Sequence, residues 1–245
     1  MISAQKLQPK EVLRRKLERL FCEGVRRYNL IEAGDRVLVA VSGGKDSLAL
    51  LELMAAFRRR RGNFEVEAMH VRLDNVDYAA DASYLRSFAD ALGVPLHVVG
   101  GRFEPDAQPD RTPCFLCAWT RRKLLFDKAQ ALGCNKLAFG HHEDDLLTTA
   151  LMNLTFNGTF ATMPARLQMR KFPLTIIRPL CRIPEADLRE WAQLSGYAPQ
   201  QKTCPFERDS KRSEMASIFG ALEAANPEAR YNLRHALEKA GKMVE

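Results

Sequence analysis

The chain has 245 residues, of which 46% are hydrophobic and 27% charged, and a formal net charge of +7. This is room for one large α/β domain with an appendage; no apolar stretch nears the about 20 residues of a membrane helix, and the charged segment Met1 to Arg19 lacks the apolar centre of an export signal. The basic excess favours a polyanionic partner, and six cysteines in a chain expected to be cytoplasmic point to metal or redox chemistry rather than a disulfide scaffold.

In chain order, residues 9–30 carry Leu13, Leu17, Leu20, Phe21 and Val25 at helical spacing. The off-stripe Arg14, Arg15, Lys16, Arg19, Arg26 and Arg27 form either a solvated face or an RNA-facing one. From Arg36, strand patterns at 36–41, 64–72, 96–99, 135–139 and 174–178 alternate with helix patterns. The helices are expected at 46–60, 79–92, 116–132, 143–155, 184–195, 210–224 and 227–240. The alternation predicts a doubly wound α/β fold, a mostly parallel sheet of about five strands with helices on both faces and helices at the N- and C-terminal ends. Ligands in such sheets bind beyond the carboxyl ends of the strands. Gly101 to Pro113 reads as an exposed loop and Asn157 to Lys171 as an irregular stretch, while Arg58 to Arg61 end a helix where cations suit the dipole.

The first strand runs directly into Ser42-Gly43-Gly44-Lys45-Asp46-Ser47, and a helix pattern follows. Paired glycines allow a sharp turn and a close backbone approach to a ligand. Such a turn aims backbone N–H groups and a helix N-terminus at an anion, which suits a polyphosphate. Ser42 and Ser47 add hydroxyls and Lys45 a positive charge. The spacing is not that of the Walker P-loop. It resembles the PP-loop of the ATP pyrophosphatase superfamily, Ser-Gly-Gly-x-Asp-Ser, whose members split ATP between the α and β phosphates to adenylate a substrate.

A second strand–Gly–helix junction reads Gly140-His141-His142-Glu143-Asp144-Asp145. Acidic residues there are dipole partners or caps; beside a polyphosphate, Asp144 and Asp145 would hold Mg²⁺ or position a base. Its Gly-His-His-x-Asp-Asp pattern resembles the second motif of tRNA-modifying PP-loop proteins. The strand end Met69-His70-Val71-Arg72 corresponds to the family's adenine-pocket segment; the plain alternative for His70 is a strand residue facing a helix.

Cys114-Phe-Leu-Cys117 is a CxxC opening a helix that continues with Arg121, Arg122 and Lys123. Alone it fits a redox pair, a zinc half-site or an iron–sulfur half-site. Cys204, in a polar loop, is the expected third ligand, whereas Cys22, Cys134 and Cys181 read as buried small hydrophobes. Three cysteines on a [4Fe–4S] cluster leave one iron open to an exogenous ligand such as sulfide; a water or a non-cysteine ligand would fill the same place.

These motifs, with Ile177-Arg178-Pro179-Leu180 and the late Cys204, together resemble the tRNA 2-thiocytidine synthetase family, TtcA, from about Arg36 to Arg212. The resemblance implies an adenine nucleotide α-hydrolase type of fold. It divides the chain into a helical extension 1–35, an ATP-binding domain 36–200 with the CxxC, and a helical segment 201–245. It also implies an ATP- and Mg²⁺-dependent enzyme with a [4Fe–4S] cluster on Cys114, Cys117 and Cys204. Such an enzyme thiolates the cytidine at tRNA position 32, taking sulfur from a cysteine desulfurase, and is cytoplasmic; a homodimer is compatible. The implied roles are nucleotide binding by Ser42, Gly43, Gly44, Lys45, Asp46, Ser47, His70, Gly140 and His141, and catalysis by Lys45, Asp46, Asp144, Asp145 and the three cysteines. Many members carry a second CxxC where this chain has Cys204-Pro-Phe-Glu207, so Glu207 is either irrelevant, a fourth ligand, or the mark of a different substrate. Two other readings stay open: a PP-loop thiolase acting on uridine, and a zinc-stabilised nucleotide- or RNA-binding protein without sulfur transfer. Arg121, Arg122 and Lys123, with Lys202, Arg208, Lys211 and Arg212, are candidate RNA contacts or a solvated face.

Overall fold

The computed structural model describes residues 8–76, 80–104, 110–198 and 211–245. In chain order the elements are α1 (Pro9–Arg27), β1 (Arg36–Ala40), α2 (Lys45–Arg61), β2 (Glu65–Leu73), α3 (Ala82–Ala91), β3 (Leu96–Gly101) and α4 (Pro113–Ala131). They continue with β4 (Lys136–Ala138), α5 (Glu143–Asn157), β5 (Arg166–Gln168), β6 (Thr175–Ile177), α6 (Glu185–Ser195), α7 (Lys211–Ala225) and α8 (Ala229–Lys239). The strands form one sheet in the order β3-β2-β1-β4-β6-β5. All neighbours are parallel except β5, which runs antiparallel to β6.

β1 shows why the sheet is buried on both sides. Its alternating residues feed two apolar layers: Val37 and Val39 pack with α1, α2 and α6, whereas Leu38 packs with Met69, Val71 and the α4 residues Leu125 and Phe126. Period-2 alternation sends successive side chains to opposite faces, and both faces are covered, so the strand is a continuous apolar run. The α1 stripe is buried as its spacing predicts, through Leu13, Leu17, Phe21 and Val25. Leu237 of α8 and Met243 share that apolar layer.

Each strand expected from the pattern is present. The stretch 157–171 is corrected: it contains β5, whose edge is completed by residues 243–245. Gln168 N–H donates to the Glu245 carbonyl at 2.8 Å, and Glu245 N–H to the Arg166 carbonyl at 2.9 Å. The basic residues of α1 are largely paired. Arg14 and Arg15 meet Glu11, Arg19 meets Glu23, and Lys16 reaches Asp187 at 2.7 Å. Among the described residues no helix is long and apolar enough to cross a membrane.

Strand order reverses between β1 and β4, and the connections leaving these two strands diverge. A crevice opens at such a switch point. Both glycine motifs follow these two strands.

Candidate active site

Val41 prolongs β1 by donating its N–H to the Met69 carbonyl at 2.8 Å, and the chain then turns away from the sheet. Gly43 adopts φ +91°, a left-handed conformation that a side chain would strain. Ser47 reaches back from the first turn of α2 to close the loop: its Oγ accepts from Gly43 N–H at 3.0 Å and donates to the Gly44 carbonyl at 2.9 Å. The Ser42 hydroxyl accepts from Gly44 N–H at 3.3 Å. Gly44, the N-cap of α2, offers no side chain to the first-turn N–H groups. Uncapped N–H groups at the positive end of a helix are the makings of an anion site.

The second motif is seated directly on the first. A Cβ on Gly140 would lie 3.1 Å from the Asp46 carbonyl carbon and 3.2 Å from both Asp46 O and Ser47 N, all backbone atoms. An added Cβ would need this backbone to give by a few tenths of an ångström. His142 N–H then donates to Asp145 Oδ2 at 3.1 Å, which fixes the start of α5.

Around this junction lies an open cleft of about 830 Å³, the size of a nucleotide site. Ser42, Gly44, Asp46 and Ser47 form one wall, and Gly140, His141 and Asp145 another. Arg121 and Arg122 enter from α4 and Arg178 from the end of β6, over an apolar floor of Met69, Val71, Leu125, Phe126 and Ile176. Arg178 is buried, and its Nε donates to His141 Nδ1 at 3.3 Å. Burial, with Arg122 nearby, depresses its pKa to about 10, so it remains charged at neutral pH. Arg121 is anchored by a 2.6 Å bond from Nη1 to the Val71 carbonyl. The cleft therefore joins a helix N-terminus and three guanidinium groups, a setting for a polyphosphate.

Two carboxylates face this space. Asp46 Oδ1 is buried and has no hydrogen-bond partner among the described residues, while Oδ2 sits 3.1 Å from Lys45 Nζ. An orphaned carboxylate oxygen next to an anion site fits a hard cation such as Mg²⁺. Asp145 also lines the cleft.

Other expected site residues are placed differently. Lys45 does not line the cleft; its Nζ pairs with Glu185 Oε1 at 2.9 Å as well as with Asp46. Burial pulls the ammonium down, but the two carboxylates outweigh it and hold it above its ordinary value. Asp144 is engaged at both oxygens, accepting Glu185 N–H at 2.7 Å and Arg230 Nη2 at 2.7 Å. It joins α5, α6 and α8 and does not line the cleft, where it was expected beside Asp145. Its neighbour Glu143 is buried against Arg230 and Arg234. His70 is buried and donates through Nδ1 to the Val41 carbonyl at 2.8 Å. Its ring supports the root of the PP-loop; the cleft receives its neighbours Met69 and Val71 instead. Arg178 is the site residue that motif reading left without a role, although its Ile-Arg-Pro-Leu context was visible.

Cys114 and Cys117 occupy the first turn of α4, where Thr112 Oγ1 caps the helix by accepting Phe115 N–H at 3.3 Å. Three residues apart, they share a side of the helix. Cys114 is exposed and Cys117 half-buried, next to the cleft-lining Ala118. The donor chemistry, two thiols at a helix N-terminus where thiolates are favoured, fits a soft metal centre. Cys204, Glu207, Lys202 and Arg208 lie outside the described residues. Among the described residues no group of three or more His, Cys, Asp or Glu could hold a metal ion. Cys134 and Cys181 are buried, and burial pushes their thiols up to about 11 and about 12, consistent with inert packing.

A family model described as a PP-loop domain matches residues 9–201. A tRNA-cytidine(32) 2-sulfurtransferase of Bordetella parapertussis is 34% identical over 235 residues, which cover 93% of this chain and 72% of that protein. One from Anaeromyxobacter dehalogenans is 34% identical over 233 residues, covering 92% and 79%. Among solved structures, the U34-tRNA thiolase NcsA of Methanococcus maripaludis, with its [4Fe–4S] cluster, superimposes with a TM-score of 0.80 at 26% identity, covering 96% of this chain and 82% of that one.

Proposed function

The chain belongs to the PP-loop domain family and, within it, to the family of the tRNA-cytidine(32) 2-sulfurtransferases, and from that premise we propose that it is an ATP-dependent enzyme that replaces O2 of an anticodon-loop cytidine with sulfur. The observation that carries the reading is the single cleft onto which the PP-loop, the Gly140-His141 motif and the cysteine-bearing helix α4 all open.

In this reading ATP lays its phosphates against the PP-loop and the first turn of α2. Asp46 Oδ1, with Asp145, would hold Mg²⁺, which neutralises charge on the departing pyrophosphate. Cytosine O2 attacks the α-phosphorus and pyrophosphate leaves. Arg178 and Arg121 offer fixed positive charge to the phosphate oxygens as the transition state forms. The base now carries AMP on O2. Sulfide adds at C2, the C2–O bond breaks, and AMP departs with the oxygen. Without adenylation that oxygen is too poor a leaving group, which is why ATP is spent. Cys114, Cys117 and Cys204 would hold a [4Fe–4S] cluster, which when bound supplies an iron site open to sulfur. The segments 1–35 and 201–245 flank the ATP-binding part 36–200. A cysteine desulfurase as sulfur source, with its persulfide reduced to sulfide by a thiol reductant, a cytoplasmic location and a homodimer complete the proposal.

The test is anaerobic purification of the full chain and of Cys204→Ala, with iron, sulfide and mass measured, followed by nucleoside analysis of tRNA treated with ATP and sulfide. About four irons and four sulfides per chain, lost in the variant, together with 2-thiocytidine, are expected. Zinc in place of iron would overturn the sulfur chemistry. The likeness to a U34 thiolase favours uridine as the second reading; 2-thiouridine in the same digest would establish it.

A further inference from the structure

We propose that Phe115 and Trp119, on the outer face of α4, form a stacking platform for an unpaired base of the RNA whose target nucleotide enters the cleft. This rests on the tRNA reading above and adds to it a named binding surface.

The argument begins with the way α4 distributes its side chains. Leu116, Leu125, Phe126 and Ala129 are buried in the layer beneath the sheet. Cys114, Phe115, Ala118, Trp119 and Arg122 are exposed instead, and their spacing makes them one continuous strip along the helix. Phe115 is 44% and Trp119 52% exposed. Four residues apart, the two rings lie on the same face of the helix. The chain has two tryptophans. Trp191 is buried and donates its indole N–H to Glu52 at 3.0 Å, whereas Trp119 is turned outward. Each ring keeps a large exposed face that the fold leaves uncovered.

The strip leads into the cleft. Ala118 and Arg122 belong to both, and alanine adds no more than a methyl group between them. Cys114 lies in the same strip, so a base on the platform would neighbour the nucleotide presented to the reacting centre.

Charge selects the occupant. The Arg111 guanidinium lies 4.7 Å from the Phe115 ring centroid and Arg122 follows along the helix, while Lys123 Nζ is paired with Asp127 Oδ2 at 2.8 Å. Aromatic faces interleaved with guanidinium groups suit single-stranded RNA, in which bases stack on rings while phosphates meet the cations. An apolar protein partner would not call for guanidinium groups beside the rings.

The test uses the full chain, reconstituted anaerobically, and an anticodon stem-loop RNA. Trp119→Ala should weaken RNA binding about tenfold and Phe115→Ala somewhat less, with Trp119→Phe restoring most of the loss, the scale of one base–aromatic stack. The salt dependence should be unchanged in these variants. Arg122→Ala should instead reduce its slope by about one, as loss of a phosphate contact does. RNA should also quench fluorescence in the wild type and not in Trp119→Phe. Wild-type chain that binds no stem-loop would overturn the tRNA reading itself. Wild-type binding that Trp119→Ala and Phe115→Ala leave intact would overturn the platform alone. Loss of iron in Trp119→Ala at undiminished RNA affinity would overturn it too, and would assign the rings to packing around the cysteines.

Discussion

Lys45 Nζ lies 2.9 Å from Glu185 Oε1, so the lysine of the PP-loop leans toward the N-terminus of α6 and away from the cleft it was expected to serve. Glu185 is itself held by its backbone, which donates to Asp144 Oδ2, and Asp144 is held in turn by Arg230 of α8. A line of charged contacts thus runs from α8 to the loop that faces the phosphates.

Glu185→Gln removes the carboxylate that competes for Lys45 while keeping the backbone bond to Asp144. ATP affinity should rise about two- to fivefold, the scale of a half-exposed ion pair, as read by titration calorimetry. A fall in affinity matching that of Lys45→Ala would mean that Glu185 supports the lysine instead of restraining it.

Asp46→Asn keeps the shape of the side chain and removes its charge. Since Oδ1 is the orphaned oxygen at the anion site, the Mg²⁺ requirement for ATP hydrolysis should shift upward at least about tenfold, the loss seen even for outer partners of a metal. ATP binding without Mg²⁺ should hold. An unchanged Mg²⁺ dependence would remove Asp46 from the cation site.

Gly140→Ala forces a methyl against backbone of the α2 N-terminus, which has no flexible end to give way. Overpacking of this kind costs about 1–3 kcal/mol, hence a Tm lower by about 3–9 °C, with ATP binding lost along with the seat of Asp46. A variant of wild-type Tm that still binds ATP would show that the two motifs separate freely.

Much of the site was legible because its chemistry is local. Ser42–Ser47 and Gly140–Asp145 each sit where an apolar strand meets a helix, and strand, turn and helix all announce themselves within a dozen residues. What escaped depends on distant partners. Nothing near Lys45 in the chain indicates Glu185, and nothing near Asp144 indicates Arg230; a carboxylate bound at both oxygens looks the same in sequence as one awaiting a cation. β5 escaped because Arg166–Gln168 is a short polar edge, a strand only by virtue of β6 and residues 243–245. Arg178 sat in view, but an arginine ending an apolar strand carries no mark of burial.

Acid should expose the contact between Asp144 and Arg230. Burial pushes the Asp144 carboxyl up, but the Arg230 hydrogen bond, the Glu185 N–H and the Arg230 charge outweigh it, leaving the pKa below its ordinary 3.8. A folded-state pKa below the unfolded one gives stability that is complete above about pH 4 and is lost as pH falls through the lowered value. Arg230→Met should cost about 3 kcal/mol at neutral pH, because Glu143 and Asp144 lose a buried partner, and should flatten the decline below about pH 4. Urea midpoints across the acid range read both effects; a parallel pair of curves would dissociate Asp144 from acid stability.

The reversal of strand order between β1 and β4 also sets the two halves of the site far apart along the chain. Asp35 and Asn135, bonded at 2.8 Å where these strands begin, are 100 residues apart in the chain, and Gly140 supports the PP-loop from beyond that join. The turn leaves the ribosome well before Asn135 and Gly140, and its support is complete only when they follow. During synthesis the phosphate-binding turn is therefore made early and finished late: until the second glycine motif has left the ribosome, the nucleotide has nothing shaped to hold it.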